Sequence, residues 1–170
     1  RLTTGAILFE IAGEYQKGLR DMAAMLTGKL PKKPDNAYSL TKTDNITCTL
    51  IANTAEECKD IIPGIAEAIE KVIDAKFQDQ VDFSDEQSEF ASLANTAVDA
   101  IVKGFNYRLG KCLQSMGKIH WGQWEQVGDQ SEYVTQINSM LSQYAPMVCK
   151  MLGDRYHLYF CNRLAQTCIP

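Results

Sequence analysis

Apolar side chains recur every three or four residues along most of this chain, and a run that alternates every second residue never lasts. In the first segment Leu8, Ile11, Tyr15, Leu19, Met22 and Leu26 follow spacings of 3, 4, 4, 3 and 4, one face of a helix. That helix is expected to end near Gly28, ahead of the breaker-rich "KLPKKPDN". Leu30 to Asp44 reads as a mobile linker. Asp44 or Asn45 is the expected cap of a second helix. Its stripe is Ile46, Leu50, Asn53, Glu57, Ile61, Ile65, Ile69 and Val72 or Ile73, fading after Phe77. Pro63 lies inside this stripe and removes a backbone donor, so a kink or restart is expected there.

A third helix begins at "DFSDEQSEF", with Ser84 as cap and Gln87 three residues on to close a capping box. Phe90, Ala94, Ala97, Ile101, Phe105, Leu109, Leu113 and Met116 form its apolar side, and Gly117 stops it. A fourth start falls at Asp129. Tyr133, Ile137, Met140, Leu141 and Tyr144 follow, continuing past Pro146 to Met151; Gly153-Asp154 either begins another helix or sits within a bent one. With no hairpin signal, the fold class is all-α: an elongated antiparallel helical bundle of about four to six helices. Residues 1–170 read as a single domain, and the apolar sequence at both ends reads as a piece of something longer.

Charge changes this picture little. A net charge of −4 without a long basic run excludes a nucleic-acid partner, which needs clustered cations to neutralise phosphates. No apolar run is long enough to span a bilayer, so no transmembrane segment is expected. Six acidic residues gather between Asp74 and Glu89, where the N-terminal dipole of the third helix favours them.

Candidate chemistry is sparse. The six cysteines, at 48, 58, 112, 149, 161 and 168, contain no C-x-x-C pair and match no zinc spacing. They read as reduced thiols within apolar stripes. Asn45-Ile46-Thr47 fits the glycosylation sequon by chance. Asp154 and His157 stand at i and i+3, a pairing used by diiron bundles, but a second copy is lacking. Ser131 lacks the strand-to-helix context of a nucleophile elbow and reads as a helix-cap residue. No catalytic residue, cofactor or metal site is expected. Trp121 and Trp124 read as a hydrophobic plug over the bundle end, with Gly122 and Gly128 letting the backbone turn.

One stretch carries a family pattern. Trp121, Glu125, Val127, Gly128, Asp129, Gln130, Ser131, Tyr133 and Val134, in the order W-x-x-x-E-x-V-G-D-Q-S-x-Y-V, resemble the Vps fifty-three subunit family of the Golgi-associated retrograde protein complex. The likeness extends more loosely over Ile46 to Pro170. It departs at Trp124, where an aliphatic residue is expected, and at Glu132, often a proline. The resemblance implies a subunit of a vesicle-tethering complex built of helical rods. Such a complex sits peripherally on trans-Golgi network and endosome membranes, facing the cytosol, and promotes SNARE assembly in retrograde transport. A version with one exchanged subunit serves endosomal recycling. The partners implied are the other subunits, SNAREs and Golgi or endosomal small GTPases. Catalytic residues are not implied, and the motif is read as a structural turn. The alternatives are a subunit of the exocyst or conserved oligomeric Golgi complex, or a lipid-binding helical bundle.

Overall fold

A computed structural model describes residues 4–123, 128 and 130–168. Every regular element among the described residues is helical, which makes the chain all-α. The elements are α1 (Thr4–Gly28), α2 (Lys42–Glu70), the single turn α3 (Ala75–Gln78), α4 (Ser84–Gly117), α5 (Glu132–Ser139), α6 (Ala145–Met151) and α7 (Asp154–Cys168). A π-helical segment, Met140–Tyr144, joins α5 to α6, and short 3-10 turns occupy Asp35–Ala37 and Trp121–Gln123. Two compact units form: residues 1–30 with 50–97, and residues 31–49 with 98–170. Both α2 and α4 contribute residues to each unit.

In the first unit α1 is held by its smaller residues. Ala12, Ala23 and Leu26 are buried, whereas Ile11 and Tyr15 are 43% and 53% exposed. The expected stripe is therefore buried at Leu26, half-buried at Leu8, Leu19 and Met22, and exposed at Ile11 and Tyr15. α1 is apolar on more than one side, and Ala12 and Ala23 pack together with Leu26 of the expected stripe. Phe9 stacks on Phe77 with ring centroids 5.1 Å apart. Gln16 donates to the Asp82 carbonyl at 2.6 Å, and Arg20 reaches Glu86 at 2.5 Å.

The same principle turns α2. Asn45, Cys48, Thr49, Ala52, Ala55, Ile62 and Ile69 are buried, while Leu50 and Ile61, both expected inside, face out. The polar middle of the expected stripe is thereby explained, since Glu57 lies on the exposed side. The helix neither restarts at Pro63 nor lasts to Phe77, ending at Glu70. Proline has no N–H to give the carbonyl four residues back. That carbonyl belongs to Lys59, and the Gln87 side-chain amide of α4 donates to it at 3.4 Å.

Helix starts sit a few residues from the expected caps. At α2 the Thr41 hydroxyl accepts the Asp44 amide at 3.1 Å, and the Asp44 carboxylate accepts the Thr41 amide at 2.8 Å. This is a reciprocal capping box with Thr41 as the cap and Asp44, the third residue of the helix, reaching back to it. At α4 the carboxylate of Asp82, not Ser84, takes the exposed amide, accepting from Ser84 at 2.8 Å. The α4 stripe is fully buried at Phe90, Ala94, Ala97, Ile101 and Phe105, then opens to solvent at Leu113 and Met116.

In the second unit, Tyr38 and Leu40 from the segment before α2 are buried. Leu40 lies over Gly104, where a β-carbon would meet its Cγ at 2.7 Å. Phe105 packs against Tyr144, and Val148, Tyr156, Phe160 and Leu164 bury the inner sides of α6 and α7. Each large side chain taken fully out of water contributes roughly 1.5–3 kcal/mol.

Candidate functional site

The described part of the motif is a helix start. Ser131, extended at φ −64° and ψ 148°, occupies the cap position of α5, and its carbonyl accepts the Val134 amide at 2.9 Å. Its hydroxyl does not cap the helix. The start thus falls later than Asp129. Gln130 donates to the Thr135 hydroxyl at 3.2 Å, and Tyr133 and Val134 are half-buried. Glu125, Val127, Asp129 and the departure at Trp124 lie outside the described residues. Trp121 is 57% exposed, so it does not supply the expected plug. Neither Gly122 nor Gly128 has anything within 4 Å of where a side chain would begin, and neither takes a left-handed φ. The described residues of the motif bring together backbone groups and a surface tryptophan.

Beyond the motif, a polar knot ties the second unit together. The Tyr144 hydroxyl donates to the Asn45 side-chain carbonyl, whose amide donates to the Thr41 carbonyl at 2.8 Å. Arg108 donates to the Leu40 carbonyl and holds its guanidinium 5.1 Å from the Tyr144 ring centre. Burial pushes the Tyr144 phenol up to about 12, so it stays a neutral donor. Asn45 is fully buried, which leaves its sequon sterically sealed.

Ion pairs border this knot. Lys33 holds Asp44 at 2.5 Å and Lys103 holds Asp35 at 2.5 Å. The hydrogen bond from Lys33, followed by that from the Thr41 amide, lowers the Asp44 carboxyl below its ordinary 3.8. Arg163 pairs with Asp99 at 3.0 Å, and Tyr159 donates to the same carboxylate at 3.3 Å.

A second juxtaposition was not legible in the spacing. Cys149 on α6 and Cys161 on α7 place their sulfurs 3.8 Å apart, and His157 lies one turn before Cys161. The ligand atoms of all three lie within 4.8 Å of one another. Burial, then the contact with Cys161, pushes the Cys149 thiol up to about 11. His157 therefore stands with Cys161, four residues on, and not in a ligand set built on Asp154. The trace of this cluster in the sequence is His157-x-x-x-Cys161 on one helical face, without Cys149, which lies across the bend.

Among the described residues the geometry offers no complete catalytic constellation and no helix long and apolar enough to cross a membrane. Vacuolar protein sorting-associated protein 53 A of Arabidopsis thaliana is 30% identical to the chain over 179 aligned residues, covering 99% of the chain. The chain is homologous to a segment of that protein. The vacuolar protein sorting-associated protein 53 homolog of Caenorhabditis elegans is 27% identical over 158 residues and 90% of the chain. The chain spans about a fifth of the length of these relatives, 22% and 18% respectively. No family model and no solved structure matches it. The relationship to protein 53 thus runs through α1 as well as through the motif, farther than the motif alone reaches.

Proposed function

We propose that this chain is a segment of a subunit of a multisubunit vesicle-tethering complex acting in retrograde transport from endosomes to the trans-Golgi network. Its role there is structural and interactive, not catalytic. The observation that carries this reading is the similarity to sorting-associated protein 53 along 99% of the chain. The all-helical build and the outward apolar residues of α1, among them Ile7, Ile11 and Tyr15, suit a module that presents surfaces to neighbouring subunits. Peripheral attachment to trans-Golgi and endosomal membranes, and contacts with SNAREs and small GTPases, belong to the same proposal.

The test is affinity capture from cytosol with the intact parent protein and with a form lacking residues 30–170, each scored by mass spectrometry and by vesicle capture in cells. The expected result is loss of SNAREs or small GTPases from the deletion while the complex subunits remain, together with impaired vesicle capture. Normal capture of vesicles and of every partner by the deletion would refute an interactive role.

A further inference from the structure

The bend between α6 and α7 gathers the described residues best suited to bind a soft ligand. Leu152 leaves the helical conformation at φ −83° and ψ 142°, and α7 folds back so that α6 and α7 pack together. Cys149 then faces Cys161 across the bend, and His157 lies on the same side of α7 because residues four apart share a helical face. Both cysteines are half-buried and His157 is exposed at the rim. Val148, Tyr156 and Phe160 on the same two helices are buried.

We propose that Cys149, His157 and Cys161 form a binding site for a thiophilic divalent cation, of which zinc is the natural choice. A tetrahedral zinc holding two thiolates at about 2.3 Å sets their sulfurs about 3.8 Å apart, the edge of the tetrahedron. The two sulfurs stand 3.8 Å apart. A disulfide needs about 2.05 Å between sulfurs, so the same side chains are nearly twice that distance from bonding one another. The tetrahedral sulfur-to-nitrogen edge comes to about 3.5 Å, and the imidazole already lies within 4.8 Å of both sulfurs. The required adjustment is a side-chain rotation of an exposed residue.

The donor set also selects the metal. Two thiolates and an imidazole favour zinc and its soft neighbours over magnesium or calcium, which require oxygen ligands. Binding replaces each thiol proton with a metal bond, and two thiolates balance the divalent charge. Three protein ligands leave the fourth position to water or to a donor from a docking partner. The site would clamp α6 to α7 across Leu152–Gly153 and thereby fix the angle at which α7 leaves the bend.

The test uses the intact protein, reduced, stripped with a chelator and titrated with zinc against a chromophoric competitor, then with cobalt as a spectroscopic stand-in. One equivalent of cobalt with a thiolate-to-metal charge-transfer band and tetrahedral visible bands is expected. Cys149→Ser and Cys161→Ser should abolish the one-equivalent site, His157→Ala should weaken zinc binding about tenfold or more, and Cys58→Ser should leave it unchanged. As a measurement free of substitutions, zinc should protect Cys149 and Cys161, and not Cys58, from alkylation in the unaltered chain. Cobalt binding that survives loss of both cysteines, or equal alkylation with and without zinc, would overturn the proposal. So would isolation of a Cys149–Cys161 disulfide that binds no metal after reduction.

Discussion

Removing the Arg20 guanidinium is expected to destabilise the first unit far more than a surface ion pair allows. The Glu86 side chain is only 1% exposed, and one oxygen, Oε2, lacks a hydrogen-bond partner. The other is held by Arg20 at 2.5 Å. Truncation in Arg20→Ala strands a buried carboxylate, a change that costs ~3–5 kcal/mol when both partners are buried. The arginine side chain is 55% exposed, so water enters from its side and the lower end applies. A loss of about 3 kcal/mol corresponds to a fall of roughly 6–12 °C in Tm for a chain of this size. Glu86→Leu in the same background removes the stranded charge and should recover about 2 kcal/mol, since well-packed apolar residues replace buried pairs at little cost. Urea denaturation followed by circular dichroism, run as a double-mutant cycle, reads both numbers. If Arg20→Ala costs under ~1 kcal/mol and the two substitutions simply add, the pair behaves as a solvated surface bridge and the reasoning fails.

Two further outcomes follow from the second unit. Gly104→Ala brings a β-carbon to 2.7 Å from Leu40 Cγ and should cost about 1–3 kcal/mol through overpacking, read from the urea midpoint, with Leu40→Ala in the same chain relieving the clash. Asp44 has a depressed carboxyl, so its stabilisation is present above the ordinary value of 3.8 and is lost as pH falls through its lower folded value. The stability gap between the parent and Asp44→Ala should therefore be wide at neutral pH and narrow with acidification; a gap that is constant with pH would contradict the role of the ionised carboxylate.

How much of this was legible in the sequence depended on side-chain size. Along the first half of α4, bulk and burial coincide, and Phe90 through Phe105 read correctly. On α1 and α2 they diverge. Alanines, Cys48 and Thr49 share the packed sides with Leu26, Ile51, Ile62 and Ile69, while Ile11, Tyr15, Leu50 and Ile61 face outward. A period of 3.6 places residues on a common face but does not say which of two apolar faces turns inward. Caps slipped by a few residues where Thr41, Asp44 and Asn45, or Asp82 and Ser84, offer several short oxygen acceptors close together. Gly28 and Gly117 ended their helices where expected. The cysteine–histidine cluster was out of reach for another reason. Its spacing crosses a bend, and only folding sets residue 149 beside residue 161.

The π-helical segment Met140–Tyr144 absorbs an extra residue within the helical path. A π turn accommodates one residue more than the same stretch of α-helix, and each α residue advances the face by about 100°. Deleting a single residue between Met140 and Tyr144 should therefore let the turn revert to α-helix with α6 still in phase. Ala145 and Val148 would keep their buried side and Cys149 its place beside Cys161. Through this extra residue, one continuous helical path carries an additional position without turning the faces on either side of it and without the interruption of a loop.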